Sequence, residues 1–296
     1  MTRRPDISIV VCTRNRAPYL TQTLRFYEQV VSKPNWELIV VDNGSSDETP
    51  EVLDRFASAT RVAIRRLAEP RTGASRARNL GWQHAEGEII AFTDDDCYPQ
   101  ADYVDALWVN FASNAVGYLG GRVLLFTRDD YPITIQPREE RLVFPPGSFI
   151  STGVIQGANI AVRKDVLTAL GGFDDLLGAG TRFPCEDVDL LSRASFAGIA
   201  GVYDPRPVIF HHHRRQSREQ VQALARYYDR GRGAYYAKAL LTPGQRSKAA
   251  RSWCRRTGRE LINKFRVQGN GLISFRELQG AIEYCWMRAR AGVTSE

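Results

Sequence analysis

The sequence predicts an α/β protein with a mostly parallel central sheet, flanking helices and a C-terminal helical extension. Three observations carry that prediction. Short apolar runs recur at residues 7–12, 37–41 and 89–93 without the alternation of a half-solvated strand, as in strands covered on both faces. Helix-length segments separate them, so each strand has room for a crossover. Each run ends in polar residues (TRNR, DNGSSD and DDD), at the strand end where an open α/β sheet places its ligands.

Taken in order, residues 7–12 (ISIVVC) form the first buried strand, and TRNR turns into a helix over 18–31, with Pro18 suited to a first turn. Residues 37–41 (ELIVV) are the second strand, with Ser46 or Asp47 capping a helix through 57. A third strand over 62–67, a helix over 74–84 and a fourth strand over 89–93 complete the first half. The loops after strands one, two and four should converge on one crevice.

The net charge of +7 is unevenly spread: residues 1–213 carry −5 and residues 214–296 carry +12. A basic extension suits phosphates, nucleic acid or an anionic membrane, but no recognised nucleic-acid motif accompanies the charge and none is expected as a partner. Five widely spaced cysteines, never CxxC, point to reduced thiols in the cytoplasm, with neither a zinc site nor a disulfide framework. The N-terminal apolar run is too short for a signal peptide. Residues 142–162 lack charge, yet their prolines and glycines argue against a membrane span.

In the extension, Ser217 and Gln220 make a capping box for a helix through 228, a second helix covers 247–266, and Ser274 with Glu277 makes another box before Phe275, Leu278, Ile282 and Trp286. Gly231, Gly233, Gly244, Gly269 and Gly271 are read as hinges or loops. The apolar helix faces either rest on an anionic membrane or pack on the first domain or on a second copy in a homo-oligomer.

Three groups of residues carry chemistry. Asp94, Asp95 and Asp96 follow the fourth strand; in an extended segment Asp94 and Asp96 share a face, two hard oxygen donors suited to Mg2+ or Mn2+. A capped acidic turn is the competing reading. Glu186 and Asp187 open an amphipathic helix, where the helix dipole alone also favours acids. His211, His212 and His213 close a strand after DPRPVIF, and imidazole suits Mn2+ better than Mg2+.

ISIVVCTRNR, ELIVVDNGSSDET, GASRARNLG and AFTDDDCYP, followed by QGANIAVRKDVLTALGGFDD and CEDVDLLSRASFAG, resemble in order and spacing a family 2 glycosyltransferase with the Rossmann-like GT-A fold. The resemblance covers residues 5–213. It implies a catalytic domain over 1–213, with a nucleotide-sugar-binding half (1–100) and an acceptor-binding half (101–213), and leaves 214–296 as a basic helical extension. By the same resemblance Asp42 bonds the nucleobase, and Thr13, Arg14 and the GASRARN segment line the nucleotide. Arg78 stands near the diphosphate, with Arg71 and Arg76 as rivals. Asp94 or Asp95 holds ribose or a metal-bound water. Asp96 ligates Mn2+ or Mg2+, and His211 completes the metal shell, with His213 next because alternate residues share a face.

Asp187 matches the family's general base and Glu186 an acceptor helper, while Asn159 lies beneath the sugar and Asp174 near the acceptor. One base implies single displacement with inversion, from a nucleoside-diphosphate sugar, UDP-linked by expectation, to a hydroxyl of a glycan, lipid-linked or small-molecule acceptor. No QxxRW pattern follows the histidines, which argues for non-processive transfer. The expected location is the cytoplasm, including the cytoplasmic membrane face. The alternative from another class is a catalytically silent relative that binds nucleotide sugar or glycan as a partner subunit.

Overall fold

The computed structural model describes residues 4–112, 115–266 and 273–293, excluding the side chains of 260–266 and 291–293. Among the described residues nine strands form one sheet in the order β3-β2-β1-β4-β8-β6-β9-β5, with β7 beside β9. The first four strands, β1 (Ile7–Thr13), β2 (Trp36–Asp42), β3 (Ile64–Ala68) and β4 (Ile89–Asp94), are mutually parallel. β8 (Ile160–Arg163) pairs antiparallel with both β4 and β6 (Tyr118–Leu125), so β6 and its parallel neighbour β9 (Gly201–His211) run with the first four. Only β8 and the short strands β5 (Cys97–Pro99) and β7 (Leu142–Phe144) run against them.

The continuous apolar runs are buried on both faces, and their two-residue period divides them between two cores. Ile7, Ile9 and Val11 of β1, with Leu38 and Val40 of β2, join the core under α1 (Ala17–Tyr27), α2 (Thr49–Ala59) and α4 (Tyr103–Phe111). Val10, Ile39 and Val41 face the opposite core, under α3 (Ala74–His84), α5 (Lys164–Leu170) and α6 (Glu186–Phe196). At the sheet edge, Arg65 of β3 pairs with Glu86 and Arg66 with Asp54; charge there discourages further strand addition. The N-cap of α2 is Glu48, which makes no side-chain cap bond, and not Ser46 or Asp47 as expected. Asp47 accepts from Thr49 N through Oδ1 and from Ala17 N through Oδ2, tying together the starts of α2 and α1.

The extension folds onto this body as α7 (Arg218–Leu241), α8 (Arg246–Arg266) and α9 (Ile273–Val293). The Ser217–Gln220 capping box forms, but α7 continues well past Tyr228. Gly231 and Gly233 are therefore not hinges. A Cβ at Gly231 would meet Pro184 at 2.5 Å, and one at Gly233 would overlap the Glu277 carbonyl of α9, so close packing explains both glycines. Gly244 keeps its loop role, with φ +82° between α7 and α8. Gly269 and Gly271 lie outside the described residues.

The second capping box gives way to a different use of Glu277. α9 begins at Ile273, and the fully buried Glu277 carboxylate accepts from Arg232, Arg256 and Trp253. Tyr235 of α7 joins the second core and hydrogen-bonds the Ile150 carbonyl. The outer face of α9 leaves Phe275, Leu278, Ile282 and Trp286 exposed. Among the described residues no helix is long and apolar enough to cross a membrane.

Candidate active site

The carboxyl ends of β1, β2 and β4 lie level with one another: Thr13 is in register with Asp42, and Cys12 with Asp94. A cavity of about 610 Å³ opens there, with Thr13 and Arg14 in its wall. Just after β2, Asn43 joins the wall. The Asp42 carboxylate caps the following turn, accepting from Ser45 N at 2.9 Å. Asn43 donates to the Glu69 and Arg71 carbonyls and accepts from Gly73 N, which fixes the loop leading into α3.

Beyond β4 the chain does not stay extended; it turns through Asp95 and Asp96 before β5. The expected alternation of the three aspartates therefore fails, because period-two facing holds only along a strand. Asp94 faces Arg78 at 3.0 Å, whereas Asp95 and Asp96 share Arg16, at 2.8 and 2.5 Å. Burial pushes the Asp95 carboxyl up to about 7, against the opposing pull of Arg16. For Asp96 burial also raises the pKa, but His211 and Arg16 outweigh it and lower it to about 2. Arg16 was legible as part of TRNR, yet its role is set by the turn, which the sequence reading did not anticipate.

Asp96 meets His211, the last residue of β9, across the β5–β9 pairing, with Asp96 Oδ1 3.4 Å from His211 Nε2. His211 Nδ1 lies 3.1 Å from the Thr134 carbonyl, an acceptor only, so Nδ1 carries a proton and Nε2 is the atom that faces Asp96, donating to the carboxylate when protonated and able to offer its lone pair to a metal when not. Ligand atoms of Asp96, Cys97 and His211 lie within 4.8 Å of one another. Burial holds the Cys97 pKa well above its usual value, so it remains a thiol. A carboxylate oxygen and an imidazole nitrogen facing the cavity fit Mn2+ or Mg2+. The other two histidines are occupied elsewhere: His212 with Tyr98 OH, and His213 with the Tyr131 carbonyl and Asp130. Shared facing with His211 does not bring His213 into the cavity wall.

In the same cavity wall, α6 starts from Cys185, held at φ +95°, a strained conformation for a residue with a side chain. Glu186 pairs there with the Arg78 guanidinium, which also holds Asp94. Arg78 is thus buried between two carboxylates, linking α3, α6 and the end of β4. Asp187 lies in the cavity wall. Burial first, and then the neighbouring Glu186 charge, raises its carboxyl well above the usual carboxylate range. Gly157 makes room for it, since a Cβ there would stand 2.9 Å from Asp187 Oδ2.

Two expected acceptor residues sit in internal networks. Asn159 is fully buried, donating to the Arg122 and Pro207 carbonyls and accepting from Tyr103 OH. Asp174 accepts from Lys238 of α7 at 2.6 Å and from Tyr284 of α9 at 3.3 Å, fastening the extension to the loop before α6. The extension also supplies wall residues that the sequence reading left out, Tyr227 and Tyr228 of α7 among them. A recognisable signal was missing because the chain beyond residue 213 was read as a separate unit.

With this geometry in view, residues 8–170 match the family described as Glycosyl transferase family 2. Among similar proteins, the pre-mycofactocin glycosyltransferase of Mycobacterium tuberculosis is 28% identical over 75% of this chain and 46% of its own length. Glycosyltransferase AglE of Haloferax volcanii is 29% identical over 66% of this chain and 63% of its own. The chain thus spans about half to under two thirds of these relatives. Among solved structures, the Pyrobaculum calidifontis mannosyltransferase PcManGT, in complex with GDP-Man and Mn2+, aligns at TM-score 0.65 with 21% identity, over 96% of this chain and 88% of that one. Staphylococcus aureus TarS 1–349 with UDP-GlcNAc aligns at TM-score 0.56 with 15% identity, over 82% and 69%.

Proposed function

Since the chain belongs to glycosyl transferase family 2, we propose that it transfers a sugar from a nucleoside-diphosphate sugar to an acceptor hydroxyl by a single displacement that inverts the anomeric centre. The observation that carries this reading is Asp187, a buried carboxyl with raised pKa in the wall of the cavity that Asp96 and His211 also line.

In this reading Asp187 accepts the acceptor's proton while the acceptor oxygen bonds to the anomeric carbon and the bond from that carbon to the diphosphate oxygen breaks. The nucleoside diphosphate departs with the electron pair. Thr13, Arg14 and Asn43 line the nucleotide side, and Arg16 orients Asp95 and Asp96. Asp96 and His211 would hold Mn2+ or Mg2+, and such an ion, when bound, supplies charge neutralisation for the leaving diphosphate. Arg78 is a positioning residue, because its guanidinium is committed to Glu186 and Asp94.

The similar structures carry GDP-Man in one case and UDP-GlcNAc in another, so the base is a matter for measurement, with a UDP-linked donor as the expectation. The exposed apolar stripe of α9 and the basic charge of the extension support contact with an anionic membrane surface. The test is the anomeric configuration of the first-formed product, followed by NMR with each nucleotide sugar. Inversion is expected; a retained configuration would overturn the single-displacement reading.

A further inference from the structure

A second cavity of about 630 Å³ opens between α8 and the segment around Phe149–Thr152, and among the described residues its wall holds basic side chains and no acidic one. Arg251, Arg255 and Arg259 recur every four residues, forming one stripe along α8. All three are exposed, and among the described residues none of them pairs with a carboxylate. Their neighbours are committed: Arg256 to Glu277, and Lys248 to the Gly147 carbonyl. Like charges four apart on a helix repel, so a stripe without counter-charges is arranged for an anion from outside.

The position of this cavity gives the anion its identity. Thr152 and Arg256 belong to the walls of both cavities, so the two adjoin. A molecule presenting a hydroxyl to Asp187 can extend past them to the arginines. Guanidinium groups match the oxygens of a phosphate in paired hydrogen bonds, and Ser151, Ser252 and Thr152 add hydroxyls. We propose that the acceptor carries a phosphate group, seated on Arg251, Arg255 and Arg259 while its hydroxyl meets Asp187. The inference rests on the transfer reading above. Its phosphate can come from a lipid-linked phosphate or from a soluble sugar phosphate.

The test compares the full chain with the triple variant Arg251→Gln/Arg255→Gln/Arg259→Gln. Calorimetric titrations use glucosyl citronellyl phosphate, glucose 1-phosphate and their uncharged counterparts, citronellyl glucoside and methyl glucoside, with nucleoside diphosphate and Mn2+ already saturating. Wild type should bind the phosphates and not the neutral compounds. The triple variant should lose about tenfold or more in phosphate affinity while keeping its melting temperature and nucleotide binding. Preference for glucosyl citronellyl phosphate would assign the lipid source, and preference for glucose 1-phosphate the soluble one. Phosphate affinity within about twofold of wild type in the folded variant, or no phosphate binding to a wild type that binds nucleotide, would overturn the proposal. A wild type that binds no nucleotide would instead strike the transfer reading, and the same titrations run without nucleotide would then uphold the arginine site by a loss of about tenfold in the variant or overturn it by no loss.

Discussion

His211 Nε2 stands 3.4 Å from Asp96 Oδ1, with the imidazole fixed from behind by the Thr134 carbonyl at 3.1 Å. The β5–β9 pairing places His211 opposite Cys97, which brings the end of the last strand to the acidic turn. Residues more than a hundred positions apart are thereby brought together where they could hold one metal ion, with Nδ1 engaged from behind and Nε2 facing the carboxylate.

Replacing His211 with Ala should therefore weaken Mn2+ binding about 10- to 100-fold while leaving the fold intact. Equilibrium titration of Mn2+ by electron paramagnetic resonance measures this directly. Equal Mn2+ affinity in the variant and wild type would remove His211 from the donor set.

Asp187→Asn should lower turnover about a hundred- to ten-thousand-fold and leave donor affinity near wild type, because the amide keeps the shape but cannot take a proton. Turnover within a few-fold of wild type would show that another group accepts the proton.

The pH profile follows from the environment of Asp187. Its carboxyl is raised by burial and by Glu186, and the base works only when deprotonated. Activity should thus fall as pH drops through that raised value, on a limb well above the ordinary aspartate value of about 3.9. A limb at the ordinary value, measured on kcat with donor and metal saturating, would contradict the assignment.

Arg78→Met should destabilise the protein by about 3–5 kcal/mol in urea unfolding, since it leaves Glu186 buried with an unpaired charge. Adding Glu186→Gln should restore part of the loss, which a simple packing defect at Arg78 would not allow. Arg78→Met alone with unchanged stability would refute the bridging role.

Gly233→Ala should also destabilise, by about 1–3 kcal/mol, because a Cβ would overlap the Glu277 carbonyl where α7 and α9 cross. A neutral or stabilising result would mean that the two helices separate freely.

Local physics accounts for what the sequence revealed. Ile7, Ile9 and Val11 alternate with Val10 between two cores, so a continuous apolar run was a dependable sign of a doubly covered strand. α3 spans Ala74–His84, as its pattern predicts. Failures came where long-range packing overrode local rules. The turn at Asp95 and Asp96 reoriented carboxylates that strand periodicity had paired, and Arg16 then joined them. Gly231 and Gly233 looked like hinges because Pro184 and α9, which explain them, lie far along the chain. Glu277 looked like a capping residue, yet its carboxylate serves Arg232, Arg256 and Trp253. The apolar residues Leu261, Ile262 and Phe265, at helical spacing in the second helix of the extension, lie outside the described side chains.

The most direct test of the central claim is a thermal-shift panel of UDP, GDP, dTDP and CMP, each with and without Mn2+, on wild type and Asp96→Ala. The account predicts a higher melting temperature with one nucleotide, dependent on Mn2+ and lost in the variant. Ligand at about a hundred times its Kd would add about 2.7 kcal/mol of stability. Folded wild-type protein that shifts with none of them would contradict a working donor site.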